Sequence, residues 1–429
     1  MRSLLVLFLL WSTSPTLLAQ STSQTSQPEP SIQSLLDRIQ QMEKRISELE
    51  EHERRETAAQ TSNPMLPAPV DQQTTQATSS SSQAMHAEHG TSPTGAREAE
   101  IHYPSLQIRG FGDVDFQATD QKQSTSGFSL GQLDLHFASP LSRKVSYFGE
   151  VTFTAQPNTY DLNVERSFVR FDYNDYFKIS FGKFHTPIGY WNTAYHHGAW
   201  LQTTIARPQM IKFGGTFTPV HIVGFQAEGS IPSGGLGLGY SLALGNGRSS
   251  NFSKAGDSGD VNNNRAWLAK LSAQPSRLYG LELGGSYYHD ELTPQHGVNF
   301  REWIAGGYVT WTRGRPELLA EYENVHHTSL QTSQTFNTTG YYAQVAYRLS
   351  WQENKWKPYY RFEYIHRPPQ EPVWDSTGTP LVEDLVGSTV GVRWDITNFA
   401  CFKGEYRRFR QATGIPSVNG AFFQSAFTF

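Results

Sequence analysis

Runs of about 10–13 residues with alternating apolar and polar side chains follow one another beyond residue 103. In one run, Tyr341, Ala343 and Val345 alternate with Gln344 and Arg348. Alternation with period two places successive side chains on opposite faces of a β-strand. Such runs are longer than the strands of most soluble proteins and match a tilted strand that crosses a bilayer. The pattern therefore predicts an all-β fold, an antiparallel transmembrane β-barrel over residues 103–429.

About sixteen runs can be counted, and the connections between them differ in length. Short turns are expected at places such as Asn174-Asp175 and Thr397-Asn398, and longer polar loops at 246–263, 326–337 and 367–384. This asymmetry is typical of bacterial outer-membrane barrels, and an even strand number places both barrel ends on the periplasmic side. The alternative, a secreted β-sandwich, would have shorter strands and a polar outer face. The runs start near residues 105, 127, 143, 160, 175, 219, 235, 264, 278, 300, 315, 338, 355, 385, 399 and 420.

Composition excludes several other classes of protein. The mean hydropathy is −0.50, and past residue 20 there is no apolar run of ~18 residues, which excludes a helical membrane bundle. Aromatic residues reach 13%, which suits the aromatic girdles of a barrel. The single cysteine, Cys401, excludes a disulfide framework or cysteine-based metal cluster. The net charge of −4 gives no indication of a nucleic-acid partner.

Residues 1–19 have the features of an export signal. Arg2 supplies a positive charge, Leu4 to Trp11 form a short apolar stretch, and Ala19 provides a small residue before the expected cleavage. The alternative is an N-terminal anchor helix, but the apolar run is short for one.

Residues 20–56 predict a short periplasmic coiled coil, and residues 57–102 a disordered linker rich in Ser, Thr, Gln and Pro. Apolar residues recur at a and d positions over three heptads, and isolated helices of this length are marginal without partners. The alternative is a lone amphipathic helix. The predicted oligomerisation residues are Ile32, Leu35, Ile39, Met42, Ile46 and Leu49.

The longest predicted connection, about 184–218, is unusually aromatic and carries no acid. No Asp or Glu occurs from Lys183 to Ala227. A loop of this length with so many aromatic residues is expected to pack against another part of the protein. We expect its aromatic residues to fix it to the barrel wall rather than to form a sugar slide; these are Tyr190, Trp191, Tyr195 and Trp200.

The segment Phe181-Gly182-Lys183-Phe184-His185-Thr186-Pro187-Ile188-Gly189 resembles the G-x-F-x-T-P-x-G phrase of the phosphate-selective porin O/P group. Wider relatives of that group include porins with N-terminal coiled coils that take dicarboxylates. The resemblance implies a trimeric porin of sixteen strands. The spaced ladder of lumen arginines in phosphate-specific members is not traced in this sequence.

In trimeric porins the third outer loop narrows the pore. Counted from the periplasmic start of the barrel, the connection at about 184–218 is the third outer loop, and its basic residues favour anions. The expected pore-constriction residues are Lys183, His185, Tyr195, His196, His197, Arg207 and Lys212. On the barrel wall, charges of both signs are expected to face the lumen, most of them as structural pairs. The basic lumen-wall candidates are Arg109, Lys270, Arg348, Arg361, Arg393, Lys403 and Arg407.

These features predict an outer-membrane porin of a Gram-negative bacterium. It would be a homotrimer in outer-membrane lipid, admitting small polar solutes with a preference for anions such as phosphate or small carboxylates. No enzyme motif, cofactor site or metal site is expected: the pairs His196-His197 and His326-His327 are adjacent residues, which rarely chelate together. Two alternatives remain: a barrel-anchored structural protein whose coiled coil links the outer membrane to peptidoglycan, and a barrel enzyme acting on lipid.

Overall fold

The computed structural model describes residues 103–195, 198–212, 217–294, 297–369, 371–375, 384–411 and 417–429. Within them, sixteen strands form one closed antiparallel barrel, and β1 pairs with β16 to complete the ring. The predicted signal, coiled coil and linker lie outside the described residues. No helix among the residues described is long and apolar enough to span a membrane.

The strands pair in sequence order. Their bounds are β1 Gln107–Thr119, β2 Gly127–Pro140, β3 Val145–Gln156, β4 Thr159–Asn174, β5 Phe177–His185, β6 His221–Ile231, β7 Leu238–Asn246, β8 Ala266–Ala273, β9 Leu281–Leu292, β10 Phe300–Trp311, β11 Pro316–Ser329, β12 Thr335–Tyr347, β13 Trp356–His366, β14 Leu385–Asp395, β15 Ala400–Gln411 and β16 Val418–Thr428. Two short α-helices, α1 (Trp191–Ala194) and α2 (Pro372–Asp375), lie in loops.

The two faces of each strand differ as the alternation predicts. On β12, Tyr342 and Gln344 are buried inside the barrel, whereas Tyr341, Val345 and Tyr347 are exposed on its outer face. Large aromatic and aliphatic side chains are exposed on the outside because this surface faces lipid rather than water. The inner face is polar and charged, and it provides the wall on which a functional site can be built.

The observed strand starts lie within three residues of the predicted ones, but one predicted long loop is wrong. β11 continues to Ser329 and β12 begins at Thr335, so most of residues 326–337 belong to strands. The polar residues there are satisfied within the hairpin, since His326 Nδ1 lies 2.9 Å from Asn337 Oδ1. The connection between β3 and β4 is also short, so the difference in length between the two ends of the barrel is weaker than expected.

A β-bulge in β4 explains why the hydrophobic pattern changes parity along that strand. Arg166 pairs with Glu150, but the next pair joins Val164 to Val151, so Glu165 is the extra residue. Val164 and Val169 are both exposed on the outer face although they differ in parity. A bulge re-aims side chains in this way, and here it places two consecutive charged residues, Glu165 and Arg166, among the groups of the inner wall.

Candidate constriction site

The longest connection, residues 186–220 between β5 and β6, is called loop 3 here. After β5 the loop stays close to the barrel wall, where Lys270 Nζ donates a hydrogen bond to the Gly189 carbonyl oxygen at 2.6 Å. Gly189 has φ of +62°, and a Cβ at this position would lie 2.1 Å from Glu321 Oε2. Only glycine allows the chain to pass this close to the wall in this conformation.

Glu321 of β11 binds the start of α1. Its carboxylate accepts hydrogen bonds from the backbone N–H groups of Tyr190 at 2.7 Å and Trp191 at 2.8 Å, and from the Tyr342 hydroxyl at 2.5 Å. All four groups are buried. Since a buried N–H without an acceptor costs about 1–3 kcal/mol, this carboxylate stabilises the entry of loop 3.

Other wall glutamates also accept hydrogen bonds from loop 3. Glu405 accepts the N–H of Ile205 at 2.5 Å, and Glu363 accepts that of Gln209 at the same distance. Two further glutamates accept loop hydroxyls: Thr203 Oγ1 donates to Glu317 Oε2 at 3.0 Å and Thr218 Oγ1 donates to Glu323 Oε2 at 2.8 Å. Five wall carboxylates on β11, β13 and β15 therefore hold the loop.

Three predicted lumen-wall cations hold the carbonyl groups of the same loop. Arg361 donates to the Ala206 oxygen at 2.8 Å. Arg393 donates to the oxygens of Trp200 at 2.7 Å and Gln202 at 2.9 Å. Lys403 donates to the Thr204 oxygen at 3.0 Å. Together with Lys270, these cations therefore bind the backbone of loop 3. They do not form a row of charges along the water-filled lumen.

The aromatic residues of loop 3 are packed against the wall. Trp191 is fully buried, and its ring lies 5.0 Å from the ring of Tyr195 and 5.9 Å from that of Tyr342. Tyr190 packs on Tyr308 at 5.7 Å, and burial raises the pKa of Tyr190 to about 12. The aromatic side chains thus act as apolar contacts between loop and wall.

The expected constriction residues occupy different environments. Lys183 forms an ion pair with Asp257 at 2.8 Å. His185 is buried, with Nε2 3.5 Å from Glu150 Oε2. Arg207 is buried and Lys212 is exposed. His196 and His197 lie outside the described residues.

The remaining predicted wall cations do not contribute to the contacts with loop 3 reported above. Arg109 is exposed near the start of β1. Arg348 forms an ion pair with Asp395 at 2.6 Å, and Arg407 with Glu405 at 2.6 Å. Both pairs match the expectation that most wall charges are structural pairs.

A second buried polar cluster, which the sequence did not reveal, joins two other loops to the wall. Arg248, in the connection between β7 and β8, donates to Glu302 Oε1 at 3.0 Å. His327 Nε2 lies 2.9 Å from Glu302 Oε2, and its Nδ1 contacts Glu371 of the β13–β14 connection. Trp374 of α2 is fully buried beside His327. The loops therefore fill part of the lumen around loop 3.

Comparisons with known proteins support the fold. No protein-family model matches the chain, and no curated protein matches it. Solved structures match along about three quarters of the chain. The anion-selective porin from Comamonas acidovorans is 10% identical, with 76% of this chain and 100% of that chain covered and a TM-score of 0.55. The outer membrane channel DcaP of Acinetobacter baumannii is 11% identical, covers 76% and 97%, and has a TM-score of 0.52. The trimer form of OmpT, an outer membrane protein of Vibrio cholerae, is 14% identical, covers 76% and 99%, and has a TM-score of 0.51. The chain thus has the fold of outer-membrane porins.

Proposed function

We propose that this protein is an outer-membrane porin, a water-filled channel for passive diffusion of small polar solutes. The observation that carries the proposal is loop 3, which lies inside the barrel and is held there by wall glutamates and wall cations. A loop that is bound to the wall and crosses the lumen narrows the channel, and it does not act as a gate. The proposed assembly is a homotrimer in outer-membrane lipid.

We further propose that this channel prefers anions. Loop 3 has no acidic residue and carries Arg207 and Lys212. The wall carboxylates beneath loop 3 accept hydrogen bonds from the backbone of the loop, as Glu321 and Glu405 do. Because the charge of a pore lining selects the ion, a basic loop favours anions, with phosphate and small carboxylates as candidate solutes.

The test is the zero-current potential of the purified protein in a planar bilayer under a salt gradient. We expect a stable open channel whose potential has the sign of an anion-selective pore. Replacing Arg207→Gln and Lys212→Gln together should move the potential toward zero. The matched control is Lys355→Gln, a cation in the β12–β13 turn paired with Glu353 at 2.8 Å, which should leave the potential unchanged.

The other outcomes distinguish the remaining possibilities. A cation-selective potential would keep the channel and overturn the argument from loop 3. Absence of any channel would overturn the porin and favour a barrel-anchored protein whose coiled coil reaches the cell wall. That second function is favoured by the heptads from Ile32 to Leu49, and co-sedimentation of the intact protein with peptidoglycan would support it.

A further inference from the structure

Three potential metal ligands share one face of β2 and β3, outside the residues that hold loop 3. Asp134 and His136 are two positions apart on β2, so their side chains point to the same side of the sheet. Glu150 pairs directly with His136 in the antiparallel register. The local sequence thus places two carboxylates and one imidazole side by side on the inner wall.

The distances among these groups fit a shared ion. His136 Nε2 lies 3.3 Å from Asp134 Oδ2 and 3.2 Å from Glu150 Oε1, and the three candidate ligand atoms lie within 4.8 Å of one another. In tetrahedral zinc coordination, bonds of about 2.0–2.2 Å separate neighbouring ligand atoms by about 3.3–3.5 Å.

The surrounding residues hold the ligands in place. The imidazole of His136 lies between two aromatic rings, with centroids 5.2 Å from Phe111 and 5.3 Å from Phe148. Arg166 Nε donates to Glu150 Oε2, while Glu150 Oε1 faces His136 Nε2 at 3.2 Å. An ion would therefore meet ligands whose positions are already fixed, which lowers the entropic cost of binding.

Two of the three candidate ligands are buried, and the third is partly exposed. Asp134 and Glu150 are 1% and 0% exposed, whereas the side chain of His136 is 20% exposed. On the same strand, the Gln132 N–H donates to Asp113 Oδ1 at 3.3 Å, and Glu150 Oε2 is contacted by Arg166 and His185. A cation that reaches the site along the lumen would have three protein ligands and keep an open position for water.

We propose that Asp134, His136 and Glu150 bind a divalent transition-metal ion, with Zn²⁺ as the best match. One imidazole and two carboxylates form a donor set that suits Zn²⁺, whereas Mg²⁺ and Ca²⁺ prefer oxygen ligands alone. The site lies on the lumen side of the wall and is independent of the proposed diffusion of solutes, because an ion can bind there whether or not the barrel conducts.

The test is a zinc titration of the purified full-length protein in detergent, followed with a competing fluorescent zinc indicator. We expect one ion bound per chain and no competition from millimolar Mg²⁺. His136→Gln and Asp134→Asn keep the size of the side chains, and each should weaken zinc binding at least about tenfold. The matched control, His326→Ala, removes a histidine on the opposite face of the wall and should leave binding unchanged.

The outcomes are decisive in both directions. Heat-modifiable electrophoretic mobility establishes that each variant is folded, and two different variants guard against one that fails to assemble. Zinc binding that persists at wild-type strength in both folded variants, or no binding by the wild type, overturns the site. X-ray absorption of the zinc-loaded protein showing one nitrogen ligand among oxygens supports it. None of these measurements uses conductance, so the result does not depend on the porin proposal.

Discussion

At the residue scale, loop 3 depends on buried carboxylates that accept backbone N–H groups. Glu321 is the clearest case, because it binds Tyr190 N, Trp191 N and the Tyr342 hydroxyl together. Glu321→Ala would leave two loop N–H groups buried without this acceptor, at about 1–3 kcal/mol each. We expect a lower melting temperature and noisier single-channel current, measured by thermal unfolding and bilayer recording.

Two variants bracket that prediction. Glu321→Gln keeps one acceptor oxygen and should fall between the wild type and Glu321→Ala. Glu353→Gln removes an exposed carboxylate whose pKa is lowered by the neighbouring Lys355 ammonium, and it should have no effect on the current. A quiet, wild-type current from Glu321→Ala would show that the loop is held by other contacts.

The sequence located the wall cations but not their partners. The period-two pattern placed Arg361, Arg393 and Lys403 on the inner face, where the structure has them. Arg361 and Arg393 donate to the neighbouring carboxylates of Glu363 and Asp395. The acceptors that the sequence did not reveal are carbonyl oxygens of loop 3, 154 to 204 residues away in the chain. Such pairing depends on how the loop crosses the lumen, and no local pattern of residue types encodes that path.

At the scale of elements, β4 and β5 approach each other closely at a glycine. Gly182 has φ of +139°, and a Cβ at this position would lie 2.2 Å from the Ser167 carbonyl oxygen. Gly182→Ala should therefore reduce the yield of folded barrel, with backbone strain of about 1–3 kcal/mol before the clash is counted. The measurement is the folded fraction by heat-modifiable mobility.

The control for this substitution is Gly127→Ala at the start of β2, where a Cβ would meet nothing within 4 Å. It should fold like the wild type. Equal yields for the two variants would show that β4 and β5 can separate without cost.

Strands were more predictable than their ends and irregularities. Alternation and turn residues located all sixteen strands because both signals are local. The adjoining ends of β11 and β12, around His326 and Asn337, were predicted as loop because their side chains are polar, but these side chains bond across the strands. The bulge at Glu165 left only an ambiguous parity in the sequence, and without it Glu165 and Arg166 could not both be placed on the inner wall.

At the scale of the whole molecule, the coiled coil predicted for residues 20–56 should strengthen the proposed trimer. Ile39→Ser with Ile46→Ser removes two a-position side chains from a three-heptad seam. We expect the trimer to dissociate at a lower temperature in semi-native electrophoresis, while the conductance of each assembled channel stays unchanged. Gln40→Ser with Lys44→Ser, outside the seam, is the control. A trimer of unchanged thermal stability would assign assembly to the barrel alone.

The anchoring of loop 3 also constrains the order in which the molecule can be assembled. The loop is made before its partners: Glu321 follows Tyr190 by 131 residues, and Lys403 follows Ala199 by 204. Its backbone groups therefore have no wall to bind until strands near the carboxyl end are in place. Contacts so distant along the chain form late. The part of the lumen that loop 3 crosses should therefore be the last part of the barrel to mature, after the ring of strands has closed around it.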